Sequence, residues 1–307
     1  MQFLKNYLVR LGPDHPLVHA ALWFNARRRG FGITFPNDCI VLRKGNREMI
    51  LAKTQYVEVP WMLGCYDLYF NTIEGKPIGG RTVLNFSKPG LHLYLKSQVA
   101  FYFPSIPEDD VMDVYTASYT PQPGDIVWDA GAHAGATAYF LAQMVGPSGK
   151  VYAFEPDEHN YEFLTRNIAM HGLANVIPVK KALAGTTGTA RFCMDGTMCA
   201  GLTDYLVYSD EHLYQTVPTI SFADACAELG EVPNYVKIDI EGAELDLVES
   251  AKDFLKTHAI HFSIESHRVN GELTNKRLES IFSSIGYRAC SSDSFGEMFT
   301  WADPVHA

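Results

Sequence analysis

The chain has 307 residues, 47% of them hydrophobic and 20% charged, with a formal net charge of −10. That is enough apolar material for a large core, and it excludes an intrinsically disordered chain, which combines low hydrophobicity with high net charge. No run approaches the roughly 18 consecutive apolar residues of a membrane-spanning helix.

In chain order, the opening Met1-Gln2-Phe3-Leu4-Lys5-Asn6-Tyr7 lacks an apolar core of signal-peptide length, so a soluble cytoplasmic protein is expected. Residues 17–29 (LVHAALWFNARRR) predict a helix, with Pro16 just before it, Gly30 as a stop and three arginines at its carbonyl end. From Gly32 to about Phe103 the segments IVLR, MILAK, YVEVPW, DLYFNTI, TVLNF and LHLYLK predict a small, partly antiparallel β unit punctuated by Gly, Pro and Asn. Its aromatics Trp61, Tyr66, Tyr69 and Phe70 suit either stacking on a sugar ring or a β core. A short helix is expected at 109–118 and a turn at PQPGD, 121–125.

After that turn strands and helices alternate. DIVWDA, KVYAFEP, NVIPVKKAL, NYVKIDIEG and AIHFSIES read as strands, and the segments ATAYFLAQMV, EHNYEFLTRNIAMHG, AELDLVESAKDFL and TNKRLESIFSSIG as helices. Such alternation predicts a parallel sheet with helices on both faces. YRAC and EMFTWA, with no helix between them, predict an antiparallel hairpin at one edge. Charge follows the same division. Residues 1–110 carry 13 Lys and Arg against 9 Asp and Glu, and residues 111–307 carry 12 against 26. Two regions are therefore expected, a helix-plus-β region at 1–110 that serves substrate or subunit contact and an α/β domain at 111–307. An acidic domain argues against a nucleic-acid partner, whose phosphates need a basic surface. The six cysteines form no CxxC pair and are expected to be buried small hydrophobes.

The stretch Val127-Trp128-Asp129-Ala130-Gly131-Ala132-His133-Ala134-Gly135 runs through an apolar strand and opens a helix. Ligands of open α/β sheets bind at the carboxyl end of such a strand. The dinucleotide pattern G-x-G-x-x-G fails here, because Gly131 is followed by His133 and Ala136 at the other two positions. That disfavours a nicotinamide or flavin cofactor. Glu155 stands at the end of the next strand, 24 residues after Gly131. A carboxylate there can accept both hydroxyl hydrogens of a ribose; the competing reading is an acid at a helix N-terminus. For Asp157 the capping role is preferred.

Together VWDAGAHAGATA, YAFEPDEHNYEFLTRNI and VKIDIEGAELDLVESA resemble the FkbM family of S-adenosylmethionine-dependent methyltransferases over about residues 115–270. The pairing of FEP with KIDIEGAE about 80 residues later is the specific part. The family carries Asn where this chain has His133. The resemblance implies a Rossmann-like class I methyltransferase sheet, mostly parallel with an antiparallel last strand, and S-adenosylmethionine as donor. It implies Asp129, Gly131, His133, Gly135, Glu155 and Asp239 as cofactor contacts, and Asp239 and Glu241 over the reacting centre. A hydroxyl oxygen of a small molecule or sugar is the implied acceptor.

Methyl transfer from a sulfonium needs the acceptor aligned and its proton removed. Asp239, Glu241, Glu265 and His267 fall at the ends of neighbouring strands and form the candidate catalytic set, with His267 the natural base from its ordinary pKa of about 6.5. A metal-free acid–base site is preferred to a divalent metal centre. Glu244 reads as an exposed first-turn acid, and the segment from Gly185 to Val217, with Cys193, Asp195, Cys199 and Asp204, as either a lid or a connecting hairpin. A small-molecule O-methyltransferase is thus expected, homo-oligomer formation being left open. The alternatives are a non-catalytic S-adenosylmethionine-binding module and a nicotinamide-dependent oxidoreductase.

Overall fold

The computed structural model describes residues 11–108, 112–193, 201–202, 214–294 and 296–305. The opening Met1–Tyr7 stretch, the first residues of the helix expected at 109–118, and Asp195, Cys199 and Asp204 lie outside them. Among the described residues no helix is long and apolar enough to cross a membrane. The chain divides into two compact units whose main boundary falls between residues 110 and 111.

In the N-terminal unit the expected first helix forms at Pro16–Arg28, with Arg27 and Arg28 in its last turn. A five-stranded sheet follows in the order Gly32–Thr34, Cys39–Lys44, Arg47–Ala52, Arg81–Phe86, Lys76–Ile78, all antiparallel except the Arg47–Ala52 and Arg81–Phe86 pair. The β reading of YVEVPW and DLYFNTI is wrong. Val59–Thr72 is an α-helix with Pro60 in its first turn. Its buried residues Met62, Leu63, Tyr66, Tyr69 and Phe70 recur every three or four positions, a helical period that outweighs the strand preference of aromatic side chains. Tyr66 and Tyr69 are core residues at 0% and 1% exposure, closed off from sugar stacking.

A hairpin of Gly90–Tyr94 and Val99–Phe103 completes the described part of this unit. His92 on it is packed against Phe86 and Phe103. Burial first, and Lys76 second, push its imidazole down to about 4. The native state therefore holds His92 neutral where the unfolded chain, titrating near 6.5, binds a proton. This contribution is complete above pH 6.5 and is lost as pH falls towards 4. It amounts to no more than about 3 kcal/mol. Thermal melts at pH 4.5 and 7 should differ less in His92→Phe than in the wild type; equal differences would remove His92 as a cause.

The C-terminal unit is built on seven strands: β1 Ile126–Ala130, β2 Lys150–Phe154, β3 Val176–Val179, β4 Tyr235–Ile238, β5 His261–Glu265, β6 Tyr287–Ser294 and β7 Glu297–Pro304. Their order is β3-β2-β1-β4-β5-β7-β6. The inner strands pair in parallel, and β7 runs antiparallel to both β5 and β6, as the closing hairpin predicted. Helices α1 Ala136–Val145, α2 Glu158–His171, α3 Phe222–Leu229, α4 Glu244–Leu255 and α5 Asn275–Ser284 complete the unit's framework. One core layer contains Trp128, Phe154, Phe222, Phe262 and Phe282, the other Val127, Leu141, Val151 and Tyr235. With both faces covered, all four residues of β4 are buried. Asp157 caps α2 by accepting from the backbone N–H groups of His159 and Asn160, 2.8 and 2.9 Å away.

Between β3 and α3, Gly188–Cys193 pairs antiparallel with Tyr214–Ile220, so the ends of the expected lid or hairpin are a β ladder. The cysteines divide. Cys193 and Cys226 are buried, Cys39 and Cys65 half-buried, and Cys290 exposed, so the expectation of burial holds only in part.

Candidate active site

The site is assembled at the carboxyl ends of β1, β2, β4 and β5. After β1 the chain turns at Gly131, whose φ is +79°, and both Gly131 and Ala132 donate backbone N–H bonds to the Phe154 carbonyl at 3.1 and 3.0 Å. A Cβ on residue 131 would lie 1.8 Å from the Asp239 carbonyl oxygen, so only glycine lets β1 and β4 close at this level. Gly135, at the start of α1, has φ +84°, and a Cβ there would meet the tip of the Leu164 side chain at 2.5 Å.

Glu155, 4% exposed, joins the two loops. Its Oε2 accepts from the His133 N–H and its Oε1 from the Asp157 N–H, each at 2.8 Å. His133 is buried with a left-handed backbone, φ +46°. Gly131, Glu155 and Asp239 line one pocket with Phe154 and Ile240. Asp129 is fully buried. It faces Lys237, a residue the sequence reading passed over. Lys237 Nζ lies 3.2 Å from Asp129 Oδ1 and 3.7 Å from Asp239 Oδ2, and donates to the Gly131 carbonyl at 3.0 Å. The available signal was a lysine inside the apolar strand NYVKI, since a strand buried on both faces tolerates a cation only beside acids.

Asp239 follows β4 directly, its N–H donating to the Ala130 carbonyl at 3.0 Å. Glu241 sits in the next turn with φ +54°, strained for a side chain of its size. The expected quartet does come together. His267 Nε2 stands 3.6 Å from Asp239 Oδ1, 3.7 Å from Glu241 Oε2 and 3.6 Å from Glu265 Oε1.

Glu244 corrects its reading as an exposed acid, because it is 0% exposed. Its Oε1 accepts from the His267 N–H at 2.8 Å and from Thr274 Oγ1 at 3.2 Å, and lies 3.0 Å from His267 Nδ1. The first turn of α4 therefore faces the end of β5 rather than solvent. A second unanticipated residue is Tyr115. Its hydroxyl lies 3.5 Å from Asp239 Oδ2 and 3.3 Å from Glu265 Oε2, and can donate to either. The neighbouring backbone is anchored by Tyr235, whose hydroxyl donates to the Tyr115 carbonyl, and by the Trp301 indole, which donates to that of Val114. His261 lies apart from this cluster, paired with Asp303 at 2.7 Å and stacked on Tyr119.

The electrostatics follow from four carboxyl groups around one imidazole. Burial, then the Asp239 charge, hold the Glu265 carboxyl well above its ordinary range. Burial lowers the His267 pKa, but Glu241, Glu244 and Glu265 outweigh it and raise it well above 6.5. These surroundings favour the protonated form more than water does and so do not favour the base role expected of His267.

Residues 129–299 match the sequence model of the Methyltransferase FkbM domain. Over 163 residues the chain is 28% identical to the hexuronic acid methyltransferase AglP of Haloferax volcanii, an alignment covering 51% of this chain and 64% of that one. A second relative, a protein-L-isoaspartate O-methyltransferase of Aeropyrum pernix, is 39% identical over 59 residues, covering 19% of this chain and 23% of that one. Among solved structures, the methyltransferase FkbM of Methylobacillus flagellatus aligns with 95% of this chain and 60% of its own, at 12% identity and a TM-score of 0.46. In each case the chain spans less than two thirds of the relative's length.

Proposed function

From the premise that this chain belongs to the FkbM methyltransferase domain family and is an S-adenosylmethionine-dependent methyltransferase, we propose that it methylates a hydroxyl oxygen of a small molecule. A sugar is the favoured acceptor class, since the relative AglP is named for hexuronic acid methylation. The observation that supports the reading is the shared pocket of Gly131, Glu155 and Asp239, which sets a glycine turn and a strand-end carboxylate beside an acid–imidazole cluster.

In this mechanism Glu155 accepts the ribose hydroxyl hydrogens, the turn from Gly131 to Gly135 admits the donor, and Asp239 orients it. The acceptor oxygen forms a bond to the donor methyl as the methyl–sulfur bond breaks, leaving S-adenosylhomocysteine. The hydroxyl proton passes to Glu241. Its strained backbone is of the kind that persists at working sites, where the surrounding structure holds it. His267, fixed by Glu244, supports the carboxylates electrostatically.

Glu155→Ala is expected to weaken S-adenosylhomocysteine binding by roughly 1.5–3 kcal/mol, about ten- to a hundredfold in Kd, through lost charge-assisted hydrogen bonds. Glu162→Ala, an exposed acid on α2, should bind as the wild type does. Calorimetric titration of both variants tests this, and unchanged affinity in Glu155→Ala would remove its ribose role. Transfer of a ¹³C methyl group to uronic acids and neutral sugars, followed by NMR, reads the acceptor atom directly. A product methylated on nitrogen or carbon would refute the hydroxyl reading.

A further inference from the structure

We propose that Asp239, Glu265 and His267 form a binding site for one divalent cation, in place of the metal-free site expected from the sequence. One ligand atom from each of the three lies within 4.8 Å of the others. The imidazole nitrogen facing the acids, Nε2, is 3.6 Å from both Asp239 Oδ1 and Glu265 Oε1, beyond hydrogen-bond length. Ligand atoms about 2.0–2.2 Å from a shared cation stand roughly 3–3.6 Å from one another, so the imidazole nitrogen is spaced from each carboxylate oxygen as for a common centre rather than for a hydrogen bond.

The outward atoms of the same three side chains are each held. Glu244 Oε1 lies against His267 Nδ1 at 3.0 Å, which aims Nε2 inward. The Tyr115 hydroxyl lies against the outer oxygens, Asp239 Oδ2 and Glu265 Oε2, which leaves Oδ1 and Oε1 to the centre. A carboxylate on the far nitrogen of a histidine, and a hydrogen bond on the far oxygen of a carboxylate, are the outer contacts that orient metal ligands. Glu244 is fully buried and its Oε2 has no hydrogen-bond partner. Carboxylate oxygens with one imidazole suit manganese or magnesium ahead of the softer, thiolate-seeking ions.

The cation's role rests on the methyltransferase reading above. Bound at this place it would accept the acceptor hydroxyl as a further ligand and make its proton easier to remove, with Glu241 still the proton's destination. Glu241 Oε2, 3.7 Å from Nε2, is close enough to serve.

The test uses the full chain stripped with chelator and titrated with Mn²⁺, followed by electron paramagnetic resonance. One equivalent should bind, and electron–nuclear spectroscopy of the wild-type complex should show coupling to a single histidine nitrogen. Glu265→Gln and His267→Gln should each weaken Mn²⁺ binding at least tenfold, the latter removing the nitrogen coupling, while Glu155→Ala binds Mn²⁺ as the wild type does. Failure of the wild type to bind stoichiometric Mn²⁺ while it still binds S-adenosylhomocysteine would overturn the site, as would bound Mn²⁺ without nitrogen coupling. A protein that binds Mn²⁺ through a histidine nitrogen but no S-adenosylhomocysteine would support the cation site and count instead against the methyltransferase reading.

Discussion

Replacing Lys237 by methionine is expected to cost about 3–5 kcal/mol of stability, the penalty for breaking a buried ion pair from one side. Lys237 is 3% exposed and Asp129 0%, and 3.2 Å separates their charges. The methionine keeps most of the stem's volume but removes the cation, leaving the Asp129 carboxylate deep in the sheet. It also removes the donor to the Gly131 carbonyl, so the glycine turn after β1 loosens together with the pair. Denaturant unfolding of the single variants and of the Asp129→Asn, Lys237→Met double variant closes a mutant cycle. The double variant should be markedly more stable than the sum of the two losses allows, because neither charge is then left alone. Additive losses would show that the two residues do not stabilise the sheet as a pair.

Gly131→Ala is expected to abolish donor binding and to destabilise the unit by about 3 kcal/mol or more. The added Cβ would meet the Asp239 carbonyl oxygen at 1.8 Å and its carbon at 3.0 Å. These are backbone atoms, so no change of rotamer relieves the overlap, and β4 must shift, carrying Asp239 with it. Gly172→Ala is the matched comparison. Its φ of +62° is left-handed helical and carries the ordinary penalty of that region, but nothing lies within 4 Å of the added Cβ. That variant should lose only about 1–2 kcal/mol and keep its affinity for S-adenosylhomocysteine. Melting temperatures and calorimetric titrations of the two variants provide the measurement. Equal effects would mean that backbone conformation, and not the approach of Asp239, makes glycine necessary at 131.

The elements with strong local grammar were legible in the sequence. The strand–glycine–helix passage at 127–135, the acid ending the second strand, the Asp157 cap and the terminal hairpin depend on neighbours in the chain, where residue type and period carry the signal. Asp239, Glu241, Glu265 and His267 could be brought together on paper because parallel strands place all their carboxyl ends on one side. Tertiary packing decided the rest. The aromatic run from Val59 to Thr72 has strand-like composition, and only the partners its side chains meet select the helical period. A place in a helix's first turn suggests a surface acid at Glu244, but its exposure depends on the chain at the end of β5, which lies against it. Tyr115 reaches Asp239 across 124 positions of sequence, and no local pattern encodes that hydrogen bond. The charge state of His267 is likewise set by carboxylates from two separate strand ends and a helix. A side chain's type gives its ordinary pKa, whereas the field that moves it exists only once the chain has folded.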